Sequence, residues 1–353
     1  MSITTVDTLQ EKPAEWMSGT GPDADVVPFT RCRLARNLAD FPYPAQCTLD
    51  EKRAIEERIS GVIETMNLHA TGGYFTFSDA DQREKRFLIE RGLAGASLIE
   101  ADGPCGVYIS DDQGLSISIN EENHLTLTGI ASGLQLQEVW SRLNLIDDML
   151  AGALDYAFSP RLGYLTASVR DVGTGLRAEA LFHLPGMNVA GLIPSVATDV
   201  ATRRHALSPF ADAGRTPLDD LYLLTNASSL GRSEEEALFH LKHVATQLVA
   251  QEREARGRIR SAAPLQLEDR AGRALGIARH ARLLASAESN SLLSSLRLGV
   301  SAGLLDRFSL HQINEVFIAS QNAHLEMKCG HACDELQLSV ERADLFRARF
   351  AQN

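Results

Sequence analysis

Apolar and polar residues alternate in several short segments in the first two thirds of the chain. Four of these segments predict β-strands, at residues 74–77, 107–110, 115–120 and 125–130, because side chains on a strand point alternately to its two faces. The connections between them are short, which favours antiparallel neighbours over parallel crossovers. Residues 221–224 predict one more strand. This part of the chain is therefore expected to form an antiparallel sheet.

Helical spacing of apolar residues marks two long helices among these strands. Residues 48–68 begin with Thr48 and carry Glu51 three positions later, which is the pattern of a capping box. Residues 134–158 form a long amphipathic pattern, and Trp140 within it is expected to be a core residue.

The pattern changes after Ser233, where helical spacing continues almost without interruption to Ser320. It is broken near Pro264 and at residues 299–303. The sequence therefore predicts a boundary near residues 255–265 between a domain that contains the sheet and a helical domain.

Two other segments are read from their polar and charged residues. Residues 1–25 are polar and contain several glycines and prolines, which predicts an N-terminal arm or loop. Residues 253–260 are rich in arginine, and these arginines alternate with Glu252 and Glu254. This mixture of charges predicts a solvated helix face.

The chain has 353 residues, a formal net charge of -12 and five cysteines. This length allows roughly two domains. The acidic balance argues against a protein that coats nucleic acid, because polyanions are repelled on average. The cysteines show no pattern of a small disulfide-rich domain, which fits a reducing compartment. The N-terminus lacks a secretion signal and no apolar run reaches about 18 residues, so a cytoplasmic location is expected.

The first candidate for chemistry is Arg177, which follows Gly173 and Gly175. Residues 164–168 ahead of this glycine loop predict a strand. An arginine just beyond two glycines can direct its planar charged fork at an anion that approaches the backbone, which indicates a phosphate. A simple turn with a surface ion pair is the plainer interpretation. A dinucleotide-binding fingerprint is disfavoured, because it requires a strand that leads directly into a helix.

Arg31 and Arg33 form a second candidate. In an extended segment they point to the same face, so they can act as a two-pronged anion clamp, with a solvated basic loop as the alternative. The adjacent carboxylates of Glu121 and Glu122 follow a predicted strand. Arginines that bind phosphate, combined with carboxylates, suggest phosphoryl transfer to a cationic acceptor. A guanidinium fits this role, because a carboxylate can bind it bidentately and take its proton.

Seven separated segments keep their order and approximate spacing over residues 15 to 350: WMSGTGPDADVV (16–27), TRCRLARNL (30–38), INEENH (119–124), GLQLQE (133–138), DYAFSPRLGYLT (155–166), VGTGLRAEALFHLP (172–185) and LEDRAGRALGI (267–277). Together they resemble the bacterial protein-arginine kinases, which are relatives of the phosphagen kinases.

The resemblance implies an α+β fold, in which a guanidino-kinase catalytic domain with an antiparallel sheet flanked by helices precedes an all-α C-terminal domain. It places the N-terminal arm at residues 1–25, the catalytic domain at 26–258 and the helical domain, used for dimerisation and substrate docking, at 259–353. It implies transfer of the γ-phosphoryl group of ATP, bound with Mg²⁺, to arginine on proteins. A homodimer, an adaptor protein and an ATP-dependent protease are the implied partners, with no nucleic acid and no membrane.

The resemblance also implies roles for individual residues. Glu122, with Glu121 beside it, matches the catalytic carboxylate that activates the acceptor guanidinium. Five residues are assigned by position to the nucleotide site: Thr30, Arg31, Arg33, Arg177 and Ala178.

Near the C-terminus, Asp344 and Arg347 match part of a phosphoarginine-sensing motif, and the alternative is an ion pair on a helix surface. Three potential zinc ligands precede that motif, in a spacing that is poor for a tetrahedral site: Cys329, His331 and Cys333. No metal site is therefore predicted.

Several positions depart from the family pattern. Thr126 and Ser208 stand where the family has phosphate-binding arginines, and Gly92 stands where a nucleotide-contacting histidine is usual. Ala213 stands at the second substrate carboxylate, for which Asp212 could substitute. The remaining departures are Asn123 for an aspartate, Ser168 for a cysteine and Ala343 for an arginine.

These departures bear on catalytic rate. Each charge-assisted hydrogen bond contributes roughly 1.5–3 kcal/mol, so the loss of two removes about 3–6 kcal/mol. If those bonds form fully only in the transition state, the rate falls roughly 10² to 10⁴-fold. The sequence therefore predicts a kinase with weakened activity, and the alternative is a catalytically dead pseudokinase that acts as a binding or regulatory partner.

Overall fold

The structure of the protein, a computed structural model, describes residues 6–77, 82–211 and 217–351. Its main feature is a sheet of eight strands in which all neighbouring pairs are antiparallel. The strands of this sheet and of a separate two-stranded hairpin, numbered along the described chain, are β1 (Phe29–Arg36), β2 (Gly72–Thr76), β3 (Gly106–Ser110), β4 (Leu115–Ile119), β5 (Leu125–Ser132), β6 (Phe158–Ser159), β7 (Gly163–Tyr164), β8 (Leu176–His183), β9 (His205–Ala211) and β10 (Pro217–Asn226).

The strand order in the large sheet is β2-β3-β4-β5-β1-β8-β10-β9, and β6 and β7 form a separate hairpin. The helices are α1 (Val6–Glu11), α2 (Leu49–Thr65), α3 (Gln82–Glu90), α4 (Leu136–Ala151), α5 (Pro185–Val189), α6 (Ile193–Thr202), α7 (Glu234–Ala262), α8 (Pro264–His280), α9 (Ser286–Ser301), α10 (Leu310–Ala319), α11 (Asn322–Cys329) and α12 (Glu335–Phe350). An antiparallel sheet with flanking helices, followed by a helical region, confirms the predicted fold class.

Local sequence signals account for several element boundaries. Helix α2 begins with the predicted capping box: the Thr48 side chain accepts a hydrogen bond from the backbone N–H of Glu51, and the Glu51 carboxylate accepts one from the backbone N–H of Thr48. Helix α4 ends at Ala151, earlier than the sequence pattern predicts. Beyond it the chain runs beside the end of β1, where Ala39 N–H donates to the carbonyl of Asp155 at 2.9 Å.

The strand predicted at residues 164–168 is wrong. Only Gly163 and Tyr164 are in a strand, and the chain continues as a loop until β8 begins at Leu176. Local hydrogen bonds replace a strand ladder here, because the Thr166 hydroxyl donates to the carbonyl of Ser168 at 2.7 Å. Arg177 therefore lies at the start of a central strand.

The N-terminal segment packs against the sheet, so its described part is not a free arm, although residues 12–14 and 19–25 are loops and turns as predicted. Helix α1 is followed by a single 3₁₀ turn at Glu15–Ser18. Trp16 in that turn is 2% exposed, and its ring packs edge-on against Phe29 of β1 with 5.2 Å between ring centroids.

Helix α7 runs from the sheet-containing region into the helical region, and the chain breaks helical structure at Ala263. The predicted division between residues 258 and 259 falls within α7 and stays a prediction. The basic segment of α7 is not a simple solvated face. Glu252 is fully buried and accepts hydrogen bonds from the backbone N–H groups of Gly186 and Met187, each at 2.9 Å. Arg256 donates to the carbonyl of His183 at 2.8 Å.

Among the helices within the described ranges, none is both long and apolar enough to cross a lipid bilayer.

Candidate functional site

The predicted arginines lie in the centre of the sheet, on one face. Arg33 of β1 lies opposite Arg177 of β8, and Arg31 lies opposite Glu179. Side chains alternate along a strand, so these four residues share one face. Arg31 and Arg33 therefore share a face, as the sequence predicts, while their action as an anion clamp stays a prediction.

Thr30 and Ala178 point to the opposite face of the same strands. The Thr30 hydroxyl is buried and donates to the carbonyl of Gly133 at 2.6 Å. Ala178 is fully buried in the main apolar core. The structure does not bring these two side chains to the face that carries the arginines.

Among the three predicted arginines, Arg33 has a buried hydrogen-bond donor that is unused in the described structure. Its Nε is buried and has no hydrogen-bond partner among the described residues. Burial, together with the neighbouring charge of Arg31, lowers the pKa of Arg33 to about 10. A buried N–H donor on a repelled cation is stabilised by an anion, so this residue fits a phosphate group.

Arg31 is held by a buried carboxylate. Its Nε donates to Oε2 of Glu179 at 2.6 Å, and its Nη2 lies 2.6 Å from the same oxygen. Burial would raise the pKa of Glu179, but the charges of Arg31 and Arg33 outweigh burial and hold that pKa below its ordinary value. Glu179 is therefore a carboxylate that offsets part of the positive charge on this face.

Arg177 is oriented by the loop that precedes its own strand. Its Nη2 donates to Oδ1 of Asp171 at 2.9 Å. The loop is fixed by Arg36, whose Nη1 donates to the carbonyl of Thr174 at 2.8 Å. Gly175 has φ of 69°, and a Cβ there would lie 2.5 Å from Nη1 of Arg36. Glycine is required at this position both by its backbone conformation and by the close approach.

The two predicted catalytic carboxylates lie in the connection between β4 and β5. Glu121 is buried and its Oε1 accepts a hydrogen bond from the Ser97 hydroxyl at 2.8 Å. Burial raises the pKa of Glu121, although the hydrogen bond from Ser97 acts in the opposite direction. Glu122 is exposed. The connection begins at Asn120 in the left-handed region, with φ of 55°, so the strand alternation that would separate the two glutamates does not apply.

Asn123 fixes this connection to two other parts of the site. Its Oδ1 accepts hydrogen bonds from Nδ2 of Asn37 at 2.8 Å and from the backbone N–H of Ala167 at 2.9 Å. The amide oxygen is the atom used in both contacts. An aspartate at this position has the same acceptor, so Asn123 preserves the contacts that the family residue can make.

These elements enclose a cavity of about 380 Å³, which we call the central cavity. It is lined by two cations, Arg33 and Arg177, and by four carboxylate residues: Glu100, Glu121, Glu122 and Asp171. A cavity with both kinds of charge can hold an anionic and a cationic group next to each other.

A second cavity of about 260 Å³, the lateral cavity, shares Arg33 and Ala96 with the central cavity. Arg31 lines it, and much of the remaining wall is apolar, with Phe29, Ile130 and Phe317. The arginine pair of β1 therefore lies between an apolar space and a polar space.

The departures from the family pattern occupy different places. Thr126 lines the central cavity and Gly92 lines the lateral cavity. Ser208 of β9 is exposed and lines neither cavity. Ser168 lies in the loop before β8. Asp212 and Ala213 lie outside the described residues.

The C-terminal motif forms an ion pair within helix α12. Arg347 donates to the carboxylate of Asp344 three residues earlier and to the carbonyl of Ala281. Ala343 is fully buried in the helical core. The helix-surface ion pair considered for this motif is thus present.

The three potential zinc ligands lie close together near the end of α11 but are not arranged as a metal site. Cys333 Sγ lies 3.9 Å from Nδ1 of His331. Within the part of the chain that the structure describes, no group of three or more histidine, cysteine, aspartate or glutamate residues is arranged to hold a metal ion.

Residues that sequence reasoning did not find complete the site. Ser97 and Asp171 contact the predicted glutamate and arginine directly, and Asn37 and Arg36 hold the surrounding loops. Arg36 and Asn37 belong to the same arginine-rich segment as Arg31 and Arg33, which was the one available signal. Ser97 lies in a single 3₁₀ turn (Ala96–Ile99) and Asp171 in a loop, and no periodic pattern in the sequence marks either of them.

Two family models match the chain. Residues 54–255 match the model described as ATP:guanido phosphotransferase, C-terminal catalytic domain. Residues 264–353 match the model described as protein-arginine kinase McsB C-terminal domain.

Curated relatives match over nearly the whole chain. The protein-arginine kinase of Symbiobacterium thermophilum is 35% identical over 348 residues, which cover 98% of this chain and 99% of the relative. The protein-arginine kinase of Halalkalibacterium halodurans is 35% identical over 342 residues, which cover 97% of this chain and 96% of the relative.

Solved structures share the fold at lower identity. A lombricine kinase has a TM-score of 0.58 and 23% identity, and the match covers 69% of this chain and 71% of that one. The duplicated taurocyamine kinase from Schistosoma mansoni, with bound components of a transition state analog, has a TM-score of 0.60 and 20% identity. That match covers 77% of this chain and 38% of the other.

Proposed function

The chain belongs to the protein-arginine kinase family, and we propose that it transfers the γ-phosphoryl group of ATP to the guanidinium groups of arginine residues in proteins. The observation that carries this proposal is the central cavity. Arg33 and Arg177 from the middle of the sheet line the same space of about 380 Å³ as Glu121 and Glu122, which lie in the connection between β4 and β5. Phosphoryl transfer depends on positioning and charge neutralisation, and these are the groups it requires.

Arg33 and Arg177 are proposed to hold the phosphate oxygens. The unpartnered Nε of Arg33 supplies a donor that gains a partner when phosphate binds. Arg177 exchanges part of its bond to Asp171 for a phosphate oxygen or holds both. Mg²⁺ bound through the nucleotide would offset part of the negative charge of the phosphate groups. Arg31 is proposed to support the same phosphates from the lateral cavity, with Glu179 fixing its orientation.

The lateral cavity is proposed to receive the nucleoside part of ATP. Its apolar walls suit a purine base, and its shared wall at Arg33 leads into the central cavity. The nucleotide would then lie with its phosphates at the arginine pair of β1 and its γ-phosphoryl group toward the two glutamates.

Glu122 is proposed as the base. Its exposed carboxylate can bind the incoming guanidinium bidentately and aim one nitrogen at the γ-phosphorus. The nitrogen forms the N–P bond, the bond between the γ-phosphorus and the bridging oxygen breaks with its electron pair leaving on ADP, and the guanidinium proton moves to Glu122. Glu121, buried and held by Ser97, is proposed to fix the position of the connection and to add negative charge for the acceptor.

Reduced activity is proposed for this member because Thr126 lines the central cavity without adding a cation. A pseudokinase that binds arginine-bearing clients or a partner kinase is the second candidate, and the same observation favours it. The two differ in whether Arg31, Arg33 and Arg177 suffice for turnover.

The remaining parts of the proposal rest on family membership. They comprise a homodimer built through the helical region, an adaptor protein and an ATP-dependent protease as partners, sensing of phosphoarginine near Asp344 and Arg347, and a cytoplasmic location.

The test is incubation of the full chain with Mg-ATP and an arginine-rich unfolded protein, followed by mass spectrometry of acid-labile phosphoarginine. The Glu122→Gln variant removes the proposed base. Glu254→Gln is the matched control, because Glu254 is an exposed carboxylate on α7 that pairs with Arg258. Labelling that is lost in Glu122→Gln and kept in Glu254→Gln supports the kinase. Absence of labelling beside an active family member favours the pseudokinase.

A further inference from the structure

A third cavity lies behind the lateral cavity, and we call it the rear cavity. Its volume is about 330 Å³. Four separate parts of the chain form its walls: the N-terminal segment, the residue after α3, helices α10 and α11, and helix α12. None of the predicted site residues lines it.

Two buried side chains on this wall have unused hydrogen-bonding atoms. Arg91 is 4% exposed, and its Nη2 donates to the carbonyl of Lys12 at 2.8 Å. Its Nε has no hydrogen-bond partner in the described part of the chain. His324 is 8% exposed and its Nε2 is likewise without a partner within the described ranges. A buried donor or acceptor without a partner costs free energy, so both atoms indicate an occupant.

The charges of Arg91 and His324 indicate which chemical groups a bound molecule needs. Burial lowers the pKa of Arg91 to about 10, and no carboxylate among the described residues pairs with its guanidinium. Nδ1 of His324 lies 2.8 Å from Oε2 of Glu90. Burial and the charge of Arg91 hold the pKa of His324 well below its ordinary value. The ring is therefore neutral, with its proton on Nδ1, and Nε2 is an acceptor.

Two more cations on the wall are weakly held. Arg349 Nη1 lies 3.8 Å from Glu315, beyond hydrogen-bond distance, and Lys328 forms an exposed pair with Glu341 at 3.0 Å. Exposed pairs of this kind contribute little and can exchange for a ligand. Glu11 is also on the wall and is exposed at its edge.

We infer that the rear cavity binds a small phosphate-bearing molecule, with oxyanion atoms on Arg91, Lys328 and Arg349 and a hydroxyl donating to His324. Phosphate monoesters supply both functions, because their second ionisation falls near pH 6 and a protonated oxygen is accessible close to neutral pH. The binding of this anion does not depend on the proposed function.

The rear cavity shares a wall with the lateral cavity. Arg91 and Ile318 line both. The next residue, Gly92, lines the lateral cavity together with Arg31, and a Cβ there would be in ordinary van der Waals contact with Nη1 of Arg31, at 3.4 Å. An anion that fixes Arg91 therefore changes the surroundings of a proposed nucleotide-binding arginine. This coupling, unlike the anion site itself, rests on the proposed function.

The experiment measures the Tm of the full chain as inorganic phosphate is added. At about ten times the Kd we expect a rise of about 2–4 °C. Phosphate could also bind at the central cavity, so the titration is repeated with the Arg33→Gln/Arg177→Gln double variant, which removes the cations there. The Lys328→Gln/Arg349→Gln double variant removes the exposed cations of the rear cavity and leaves its buried residues intact. Arg258→Gln, at an exposed pair on α7, is the charge control.

Four results are distinguished. A rise that persists in Arg33→Gln/Arg177→Gln and in Arg258→Gln but is lost in Lys328→Gln/Arg349→Gln supports the site. A rise lost only in Arg33→Gln/Arg177→Gln places the anion in the central cavity and overturns it. A rise kept in every variant shows non-specific salt stabilisation and overturns it. Absence of a rise in the unmodified chain also overturns it.

Coupling is tested by the Kd of ADP with and without phosphate. Phosphate can also compete with ADP directly, and this effect on the Kd is measured in Lys328→Gln/Arg349→Gln, which lacks the exposed cations of the rear cavity. In the unmodified chain we expect phosphate to change the Kd of ADP about fivefold beyond that effect. Equal effects in both proteins would overturn the coupling. Failure of ADP to bind at all would count against the proposed function and not against the anion site, because the Tm response needs no nucleotide.

Discussion

Arg33 of β1 and Arg177 of β8 lie directly opposite each other in the centre of the sheet, on the face that lines the central cavity. Like charges at opposite positions of neighbouring strands repel, and Arg33 has an unpartnered Nε in the described structure. The sheet therefore holds two cations together at a cost in stability, and a bound anion removes that cost.

Replacement of Arg33 is expected to separate activity from stability. Arg33→Gln should lower kcat/KM roughly 10- to 100-fold, because one charge-assisted hydrogen bond to the phosphates is lost. Its Tm should not fall, because the repulsion with Arg177 is also removed. Steady-state kinetics measures the expected fall in kcat/KM, and thermal unfolding measures the Tm.

Arg36 on the same strand is the contrasting control for that prediction. It is 1% exposed and forms a buried ion pair with Asp147 at 2.6 Å. Arg36→Gln should lower stability by about 3–5 kcal/mol, because Asp147 is left as an unpaired buried charge. If Arg33→Gln lowers Tm as much as Arg36→Gln does, Arg33 is a structural residue.

Restored arginines are expected to raise activity. Thr126 lines the central cavity, so an arginine there can reach the phosphates. Thr126→Arg/Ser208→Arg should increase kcat/KM roughly 10²-fold or more if the missing bonds form in the transition state. Thr246→Arg adds a cation on the exposed side of α7 and should change nothing. Activity that stays unchanged in the double variant would mean that loss of phosphate ligands does not limit this protein.

The Arg31–Glu179 pair is expected to make stability depend on pH in the acid range. The pKa of Glu179 in the folded chain is held below its ordinary value of 4.5. Its contribution is therefore present above that value and is lost as the pH falls through the folded pKa. Glu179→Gln should cost about 3–5 kcal/mol near neutral pH.

Urea unfolding of both proteins from pH 7 to pH 3 checks this dependence. The difference in free energy of unfolding should be constant above about pH 5 and shrink below 4.5. A difference that grows on acidification would have the wrong sign for this pair.

Gly175 is expected to be intolerant of a side chain. Gly175→Ala combines a positive φ with a Cβ that would lie 2.6 Å from the carbonyl oxygen of Ala35. The variant should lose about 1–3 kcal/mol of stability and, because the loop carries Asp171, should also weaken the orientation of Arg177.

Gly191→Ala separates the two causes in that variant. Gly191 has φ of 67°, and a Cβ there meets nothing within 4 Å in the described structure. It should lose only the cost of backbone strain, about 1 kcal/mol, and keep full activity. Equal losses in both variants, measured by thermal unfolding and by kcat/KM, would show that the contact with β1 is unimportant.

The sequence by itself indicated many of the elements and the faces of the central strands. Alternation of period two is a local property, so it placed Arg31 and Arg33 on one face before any partner strand was known. The capping box at Thr48 and Glu51 is local in the same sense. The order of seven separated segments then identified the family.

Tertiary structure alone decided which residues share the cavity. Glu121 joins Arg33 because β4, β5 and β1 are neighbours, and Ser97 and Asp171 join it from a 3₁₀ turn and a loop. The register between strands and the path of a loop depend on packing between residues far apart in the chain, and no local periodicity records that packing. The same reason explains the errors. Residues 165–168 follow the short strand β7 but belong to no strand themselves, and Trp16, which lies in a polar segment, packs against Phe29 of β1.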